Sequence, residues 1–336
     1  MSGYEMDRVR GAVIGYGGRF SMGNVHGKSM LEAGMEIVAA CDLDAQRMMA
    51  AAEDFPGIHT YTSIDALLKD PEVDLCVVIL PHNLHAKVAI QCSRAGKHVI
   101  VEKPMCLTVA EADSMIEASE ASDKMLTVYH NRRWDGDFVA IRDLIQKGTI
   151  GEVFHVEACM GGMSDMGDWW RSDKAISGGA MYDWGAHVID WCQLFIPDKI
   201  AGVDGYYHKR RWFKHSNEDH TDLTIRFEGG KTAQVEMSSL DAAPKARWRI
   251  LGTEGAIVME NWKTIDVTVD HRGHLAKFSM EAPPSHWSGY YENIADHLMR
   301  GGELAVKPEE ARRTIGIIQA AEESSKAGHT VAPAYS

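Results

Sequence analysis

The segment Leu75-Cys76-Val77-Val78-Ile79-Leu80 is apolar at every position. A strand with one wet face alternates polar and apolar side chains. A run without alternation therefore belongs to a strand buried on both faces, as in a parallel sheet covered by helices. The chain around it keeps the same rhythm. Arg10–Gly15 reads as a strand, followed by a glycine-rich loop and a helix closing at Gly34. Glu36–Cys41, His98–Val101 and Met125–Tyr129 read as further strands. Helices are expected over Asp44–Asp54, from Asn83 to a C-terminal stop at Gly96, and from the capping box Thr108-x-x-Glu111 to Ser122. Strict alternation of strand and helix predicts an α/β fold, an N-terminal Rossmann domain with a doubly wound parallel sheet.

After Tyr129 the pattern changes. A helix over Asp137–Lys147 leads into strands at Val153–Met160, Ile200–Tyr207, Leu223–Phe227, Thr232–Ser239, Arg247–Leu251, Ile257–Glu260 and Thr264–Val269. Turns such as Glu228-Gly229-Gly230 suit antiparallel hairpins. Two helices follow, near Trp287–Arg300 and after Pro308. These features predict a Rossmann domain over residues 1–128 and an α+β domain over 129–336 with a large, mostly antiparallel open sheet. Local helices leave one face of that sheet uncovered, so a homodimer or homotetramer through it is expected.

With 336 residues and 45% hydrophobic content, the chain is sized for two globular cores. Its formal net charge of −13 disfavours nucleic acid and anionic membrane as partners. No apolar stretch approaches the roughly 18 residues of a membrane span, and Met1–Arg10 lacks the apolar core of a signal peptide, so a cytoplasmic location is expected. The six cysteines show no paired spacing and read as buried reduced thiols. His82-x-x-His85 has no nearby carboxylate pair, and no metal is expected.

Two sets of residues carry chemistry. Gly15-Tyr16-Gly17-Gly18 directly follows the first strand, where glycine lets the backbone approach a pyrophosphate. The third glycine of the usual GxGxxG pattern falls on Phe20. A loop about three residues longer would pass that role to Gly23, ahead of His26. Asp42 ends the second strand, where a carboxylate can accept from the adenosine ribose hydroxyls; it would repel a 2′-phosphate, favouring NAD, while Arg47 nearby leaves NADP open. Asp42 also reads as a helix-capping residue. The second set comprises Glu102-Lys103-Pro104, beyond the fifth strand, and Gly178–Asp190, where a helix would put Asp183 and His187 on one face. A salt bridge and a core histidine are the plain explanations of each alone.

Together these pieces resemble the glucose–fructose oxidoreductase, inositol dehydrogenase and MocA-type family. The resemblance rests on the glycine loop with His26, Asp42, Leu80-Pro81-His82-Asn83-Leu84-His85, Ala95–Val99, Glu102-Lys103-Pro104, Asn131-Arg132-Arg133, Asp183-x-Gly185-x-His187 and Lys307–Ala311. It spans nearly the whole chain, with two departures: the longer dinucleotide loop, and His82 where many relatives carry a smaller polar residue. It implies NAD(P)-dependent hydride transfer to or from a hydroxyl carbon of a sugar, polyol or glycoside. It further implies catalytic roles for Lys103, Asp183 and His187, with His187 as general base, Lys103 on the reacting oxygen and Asp183 orienting substrate. Lysine beside an oxidised nicotinamide could serve as the base instead. The implied cofactor contacts are Gly15, Tyr16, Gly17, Arg19, Phe20, Asp42, Leu80, Pro81, Asn83, His85, Glu102 and Lys103. Arg132, Trp170 and Arg171 are the expected substrate contacts. Arg133 competes with Arg132, and in an extended Trp169-Trp170 segment one of the two rings would be core. Two alternatives use the same residues: glycoside cleavage through transient oxidation with tightly held NAD, and a non-enzymatic NAD- or sugar-responsive sensor.

Overall fold

A computed structural model describes residues 4–17 and 21–334 of the protein. The first part of the chain alternates β1 (Arg10–Ile14), α1 (Met22–Glu32), β2 (Glu36–Cys41), α2 (Ala45–Asp54), β3 (His59–Tyr61) and α3 (Ile64–Leu67). It continues with β4 (Leu75–Val78), α4 (His82–Arg94), β5 (His98–Val101), α5 (Val109–Ala121) and β6 (Leu126–Val128). The strands form one sheet in the order β3-β2-β1-β4-β5-β6, and all its pairings are parallel. Chain direction across the sheet reverses between β1 and β4, which opens a crevice at their carboxyl ends. Every residue of β4 is 0% exposed, so the unbroken apolar run does mark a strand covered on both faces.

The remaining elements are α6 (Gly136–Gln146), β7 (Val153–Gly161), α7 (Lys174–Ser177), α8 (Trp184–Phe195), β8 (Ile200–His208), β9 (His220–Phe227) and β10 (Thr232–Ser238). Then come β11 (Trp248–Gly252), β12 (Gly255–Met259), β13 (Thr264–His271), β14 (His274–Glu281), α9 (Ser288–Arg300) and α10 (Pro308–Ala327). The second sheet has eight strands in the order β14-β13-β12-β11-β7-β10-β9-β8. Its pairs are antiparallel except β7 with β10. Helix α8 packs on β7 and β10, and the rings of Phe138, Trp191, Phe195 and Trp248 meet beneath it. Trp191 and Trp248 are each 1% exposed; at about 25 cal/mol per Å² and about 200 Å² apiece, each burial contributes roughly 5 kcal/mol before ordering costs. On the other face Tyr206 is exposed; Phe154 and Phe278 are exposed elsewhere on the sheet.

Several features differ from the sequence expectation: β3, α3 and α7, each only three or four residues long, are absent from it. β14 is also absent from that expectation, although Ala276, Phe278 and Met280 alternate with Lys277, Ser279 and Glu281; it is an edge strand exposed along most of its length. The chain also does not divide at one cut near residue 128. One compact unit comprises residues up to Cys106, Ala110–Asn131 and Trp287–Arg312, and the other holds Leu107–Val109, Arg132–His286 and Arg313 onward. Helix α9 packs on α1 of the first unit. Its apolar stripe reports that it covers a core, but not which one.

Candidate active site

In the first unit, β1 ends in a turn that only glycine accommodates. Gly15 has φ +92°, and a Cβ there would lie 2.1 Å from the Ile79 carbonyl oxygen. Its N–H donates to Cys41 at 2.8 Å, tying the turn to the end of β2. The Gly17 N–H donates to the Asp42 carboxylate at 3.2 Å, and a side chain at Gly17 would run into Arg47. Gly23, in the first turn of α1, approaches the Tyr16 carbonyl so closely that a Cβ would stand 2.5 Å from it. That is the close packing of the third glycine, moved three residues along by the longer loop. Arg19 and Phe20 lie outside the described residues.

Asp42 is 8% exposed and joins the loop to the second strand. It accepts from Asp44 N–H at 3.0 Å as well as from Gly17, and Arg47 Nη1 approaches it at 3.2 Å. The cap of α2 is Asp44, which accepts from Gln46 N–H, so Asp42 is not the helix cap. Glycine backbone at the mouth of a parallel sheet, with a carboxylate at the next strand end, fits a dinucleotide.

Other expected cofactor contacts divide by orientation. The Tyr16 hydroxyl donates to Asp54 at 2.5 Å and its ring is buried, which leaves its backbone as the part facing the loop. Pro81 precedes the first residue of α4, and Asn83 is exposed in its first turn. His85 is 0% exposed; its Nδ1 lies 2.8 Å from the Pro104 carbonyl and its Nε2 2.8 Å from the Leu80 carbonyl. Its ring therefore holds two strand-end loops together. Glu102, 14% exposed, meets His26 Nε2 at 3.1 Å, and His26 Nδ1 lies 2.6 Å from the Tyr291 hydroxyl. Burial opposes ionisation of Glu102, but the hydrogen bond and charge of His26, followed by the charges of Lys103 and His85, outweigh it and hold its carboxyl below the usual range. Lys103 follows at the carboxyl end of β5, where ligands of such sheets bind.

In the second unit, Gly178 (φ +87°) ends α7 and Gly179 (φ +128°) turns the chain toward α8. The helix begins at Trp184, so Asp183 occupies its N-cap position instead of a place on the helical face, and its side chain is 41% exposed. His187, in the first turn, is 4% exposed, with its ring against Trp184 at 5.9 Å and stacked toward Trp191 at 6.4 Å. Arg171 Nε stands 3.8 Å from Asp183. Trp170 opens a short 3-10 turn, so the segment is not extended and neither tryptophan enters the core. Both rings instead flank the Arg171 guanidinium.

The two neighbouring arginines separate clearly. Arg133 forms a buried two-point pair with Asp190 at 2.8 and 2.6 Å, which pins its segment to α8. Arg132 is 26% exposed and its guanidinium lies 5.0 Å from the Trp184 ring.

Sequence reasoning missed the loop that fixes this region. Asn217, 1% exposed, donates to the Arg171 carbonyl at 2.6 Å and to Ser177 Oγ at 3.0 Å. Glu218 accepts from Ala180 N–H at 3.1 Å and pairs with Lys174, while His215 reaches Asp165 at 2.6 Å. The only signal was a dense polar run, Lys214–His220. It also missed Arg247, 5% exposed, which pairs with Asp137 at 2.9 Å and lies 3.2 Å from the Trp262 ring centre. Burial pulls its pKa down to about 10. All six cysteines are buried and free. Among the described residues, two clusters bring metal-ligating atoms together, His59-Asp70-Glu72 and Cys159-Glu236-Asp241. Both are engaged internally, Asp70 by His59 and Tyr61, and Glu236 by Lys245.

Comparison with known proteins agrees with this organisation. Residues 9–130 match a family model described as an oxidoreductase family with an NAD-binding Rossmann fold. Residues 138–258 match one described as the GFO/IDH/MocA C-terminal domain. The chain is 27% identical to scyllo-inositol 2-dehydrogenase (NADP(+)) of Bacillus subtilis, over 97% of this chain and 96% of that protein. It is 28% identical to 1,5-anhydro-D-fructose reductase of Ensifer adhaerens, over 69% of this chain and 70% of that protein. Among solved structures, an NAD-binding protein from Listeria innocua superimposes with a TM-score of 0.87 at 29% identity, covering 97% of both chains. Among the described residues, no helix is long and apolar enough to cross a membrane.

Proposed function

The chain belongs to the Gfo/Idh/MocA family of oxidoreductases, and from that premise we propose that it transfers hydride between a carbinol carbon of a sugar or polyol and NAD. The observation that carries this reading is Lys103, set just past the carboxyl end of β5 in a parallel sheet whose first strand ends in a glycine turn. Two relatives named for an inositol dehydrogenase and an anhydrofructose reductase support the substrate class.

When bound, the nicotinamide supplies the acceptor for the hydride. The residues of this chain handle the proton and the substrate. In the oxidative direction, the carbinol carbon loses two electrons with its hydride while the hydroxyl loses a proton. His187 takes that proton, a role suited to an imidazole near neutral pH. The Lys103 ammonium hydrogen-bonds the reacting oxygen, and Asp183 with Arg171 orients neighbouring hydroxyls. Trp170 supplies an aromatic face for the sugar ring. Asp42 favours NAD over NADP by repelling a 2′-phosphate. We extend the reading to a cytoplasmic homodimer or homotetramer in which a second copy covers the exposed sheet face around Tyr206.

Incubation with NAD and a panel of inositols, aldoses and glycosides tests the proposal. Steady NADH release is expected, and glycoside cleavage without net NADH would replace the reading. Lys103→Met should lower turnover on the order of 10²–10⁴-fold with NADH affinity largely retained; an unchanged turnover number would overturn the assignment.

A further inference from the structure

We infer that His85 is carried as an imidazolium and is a positioning residue for Lys103, an inference whose second half rests on the function proposed for that lysine. The ring is 0% exposed, and each nitrogen meets a backbone carbonyl oxygen at 2.8 Å, Pro104 on one side and Leu80 on the other. A carbonyl oxygen only accepts hydrogen bonds. A neutral imidazole has one N–H, so its bare nitrogen would set a lone pair against a carbonyl lone pair at hydrogen-bond distance. Only the imidazolium donates from both nitrogens.

His26 shows the contrast within the same unit. Its Nε2 faces the Glu102 carboxylate and its Nδ1 faces the Tyr291 hydroxyl, which can donate. One N–H and one lone pair can satisfy both contacts, so the geometry there does not demand two donors.

A buried cation needs a compensating charge. Glu102, at the end of β5, is a carboxylate of that kind: its ionised form is favoured by the charges of His26, Lys103 and, last among them, His85. The other titratable groups near this ring are His82 on the same helix, with ring centres 5.6 Å apart, Lys103 next to Pro104, and His26, which engages Glu102.

The consequence is mechanical. Leu80 and Pro104 begin the loops that leave β4 and β5, and Pro104 is bonded directly to Lys103. Charge-assisted hydrogen bonds are about twice as strong as neutral ones. His85 thus fixes the backbone from which the Lys103 side chain projects, without itself touching substrate.

The test reads ring protonation in the full-length ¹⁵N-labelled protein without added cofactor. Long-range ¹H–¹⁵N spectra of the histidine rings are recorded at pH 7 and 8. His85 is assigned by its loss in His85→Gln or, should that variant not fold, by ring-proton NOEs to Leu80 and Pro104. Two protonated ring nitrogens with slowly exchanging N–H protons at pH 8 are expected, above the usual histidine pKa of about 6.5. One bare nitrogen at pH 7 would overturn the charge assignment. This arm decides the matter even if the protein transfers no hydride, so failure of the functional reading is not mistaken for failure of this one. In the kinetic arm, His85→Gln should lower kcat on the order of 10–100-fold while the Kd for NADH changes about 3-fold or less. A kcat equal to that of the parent protein would remove the positioning role.

Discussion

The Arg171 guanidinium stands 3.8 Å from the Asp183 carboxylate and lies over the Trp170 ring at 4.3 Å. Its side chain is 22% exposed and the pair is long, so the contact adds little to stability, about 0–1 kcal/mol for such a surface pair. Its use is therefore expected in substrate binding. Arg171→Ala should raise substrate KM on the order of 10–100-fold, equivalent to roughly 1.4–2.8 kcal/mol, with a melting temperature within about 2 °C of the parent protein. Steady-state kinetics and a thermal melt check both halves, and a large drop in melting temperature with unchanged KM would make the residue structural.

Cofactor choice should turn on Asp42 and Arg47, which face each other at 3.2 Å. Removing the carboxylate in Asp42→Ser relieves its repulsion of a 2′-phosphate and releases the 45%-exposed Arg47 side chain to meet one. The ratio of kcat/KM for NADP to that for NAD should rise on the order of 10–100-fold, about 1.4–2.8 kcal/mol of selectivity. Adding Arg47→Ala to Asp42→Ser should cancel most of the gain. An unchanged ratio in the single variant would remove Asp42 from cofactor recognition.

Much of the first unit was legible because a doubly wound sheet writes itself locally: each buried strand is a short apolar run, and glycines mark the turns. The shift of the third glycine to Gly23 could be read from spacing alone. The second unit was legible as strands but not as a site. Asp183 seemed to lie inside a helix because Asp183-x-Gly185-x-His187 has helical spacing, while the backbone starts the helix one residue later. Asn217, Glu218 and Arg247 act through neighbours distant in sequence, such as Asn217 on Arg171 and Arg247 on Asp137. No periodicity records such pairings. β14 was legible too, since Ala276, Phe278 and Met280 alternate with Lys277, Ser279 and Glu281, but that short period stands on a mostly exposed edge strand, and sequence reasoning missed it.

His98 should impose a pH dependence on stability. It is 3% exposed, and its Nδ1 accepts from Met125 N–H at 3.0 Å. Burial, with Lys124 adding to it, pulls its pKa down to about 4. In the unfolded chain it titrates near 6.5. Between those values the unfolded chain binds a proton that the native state does not. Stability is thus fully present above about pH 6.5 and falls as pH drops toward 4, at about 1.4 kcal/mol per unit for this group, roughly 3 kcal/mol in all. His98→Asn keeps an acceptor for Met125 N–H and removes the titration. Thermal melts at pH 7.5, 5.5 and 4.5 should show a smaller loss on acidification in the variant; parallel curves would exclude His98 as the source.

Asn217 should couple to Arg171, since its amide holds the Arg171 carbonyl at 2.6 Å and Ser177 Oγ at 3.0 Å in a setting 1% exposed. Asn217→Ala leaves those buried acceptors without their donor, a loss of about 1–3 kcal/mol, and frees the turn that aims Arg171 at Asp183. Both a lower melting temperature and a higher substrate KM are expected. A double-mutant cycle separates a general loosening from a specific one. If Asn217 acts through Arg171, the KM penalty of Asn217→Ala should largely vanish in an Arg171→Ala background, while its effect on the melting temperature persists. Additive KM penalties would mean that Asn217 reaches the substrate by another route, or that its loss disturbs the second unit as a whole.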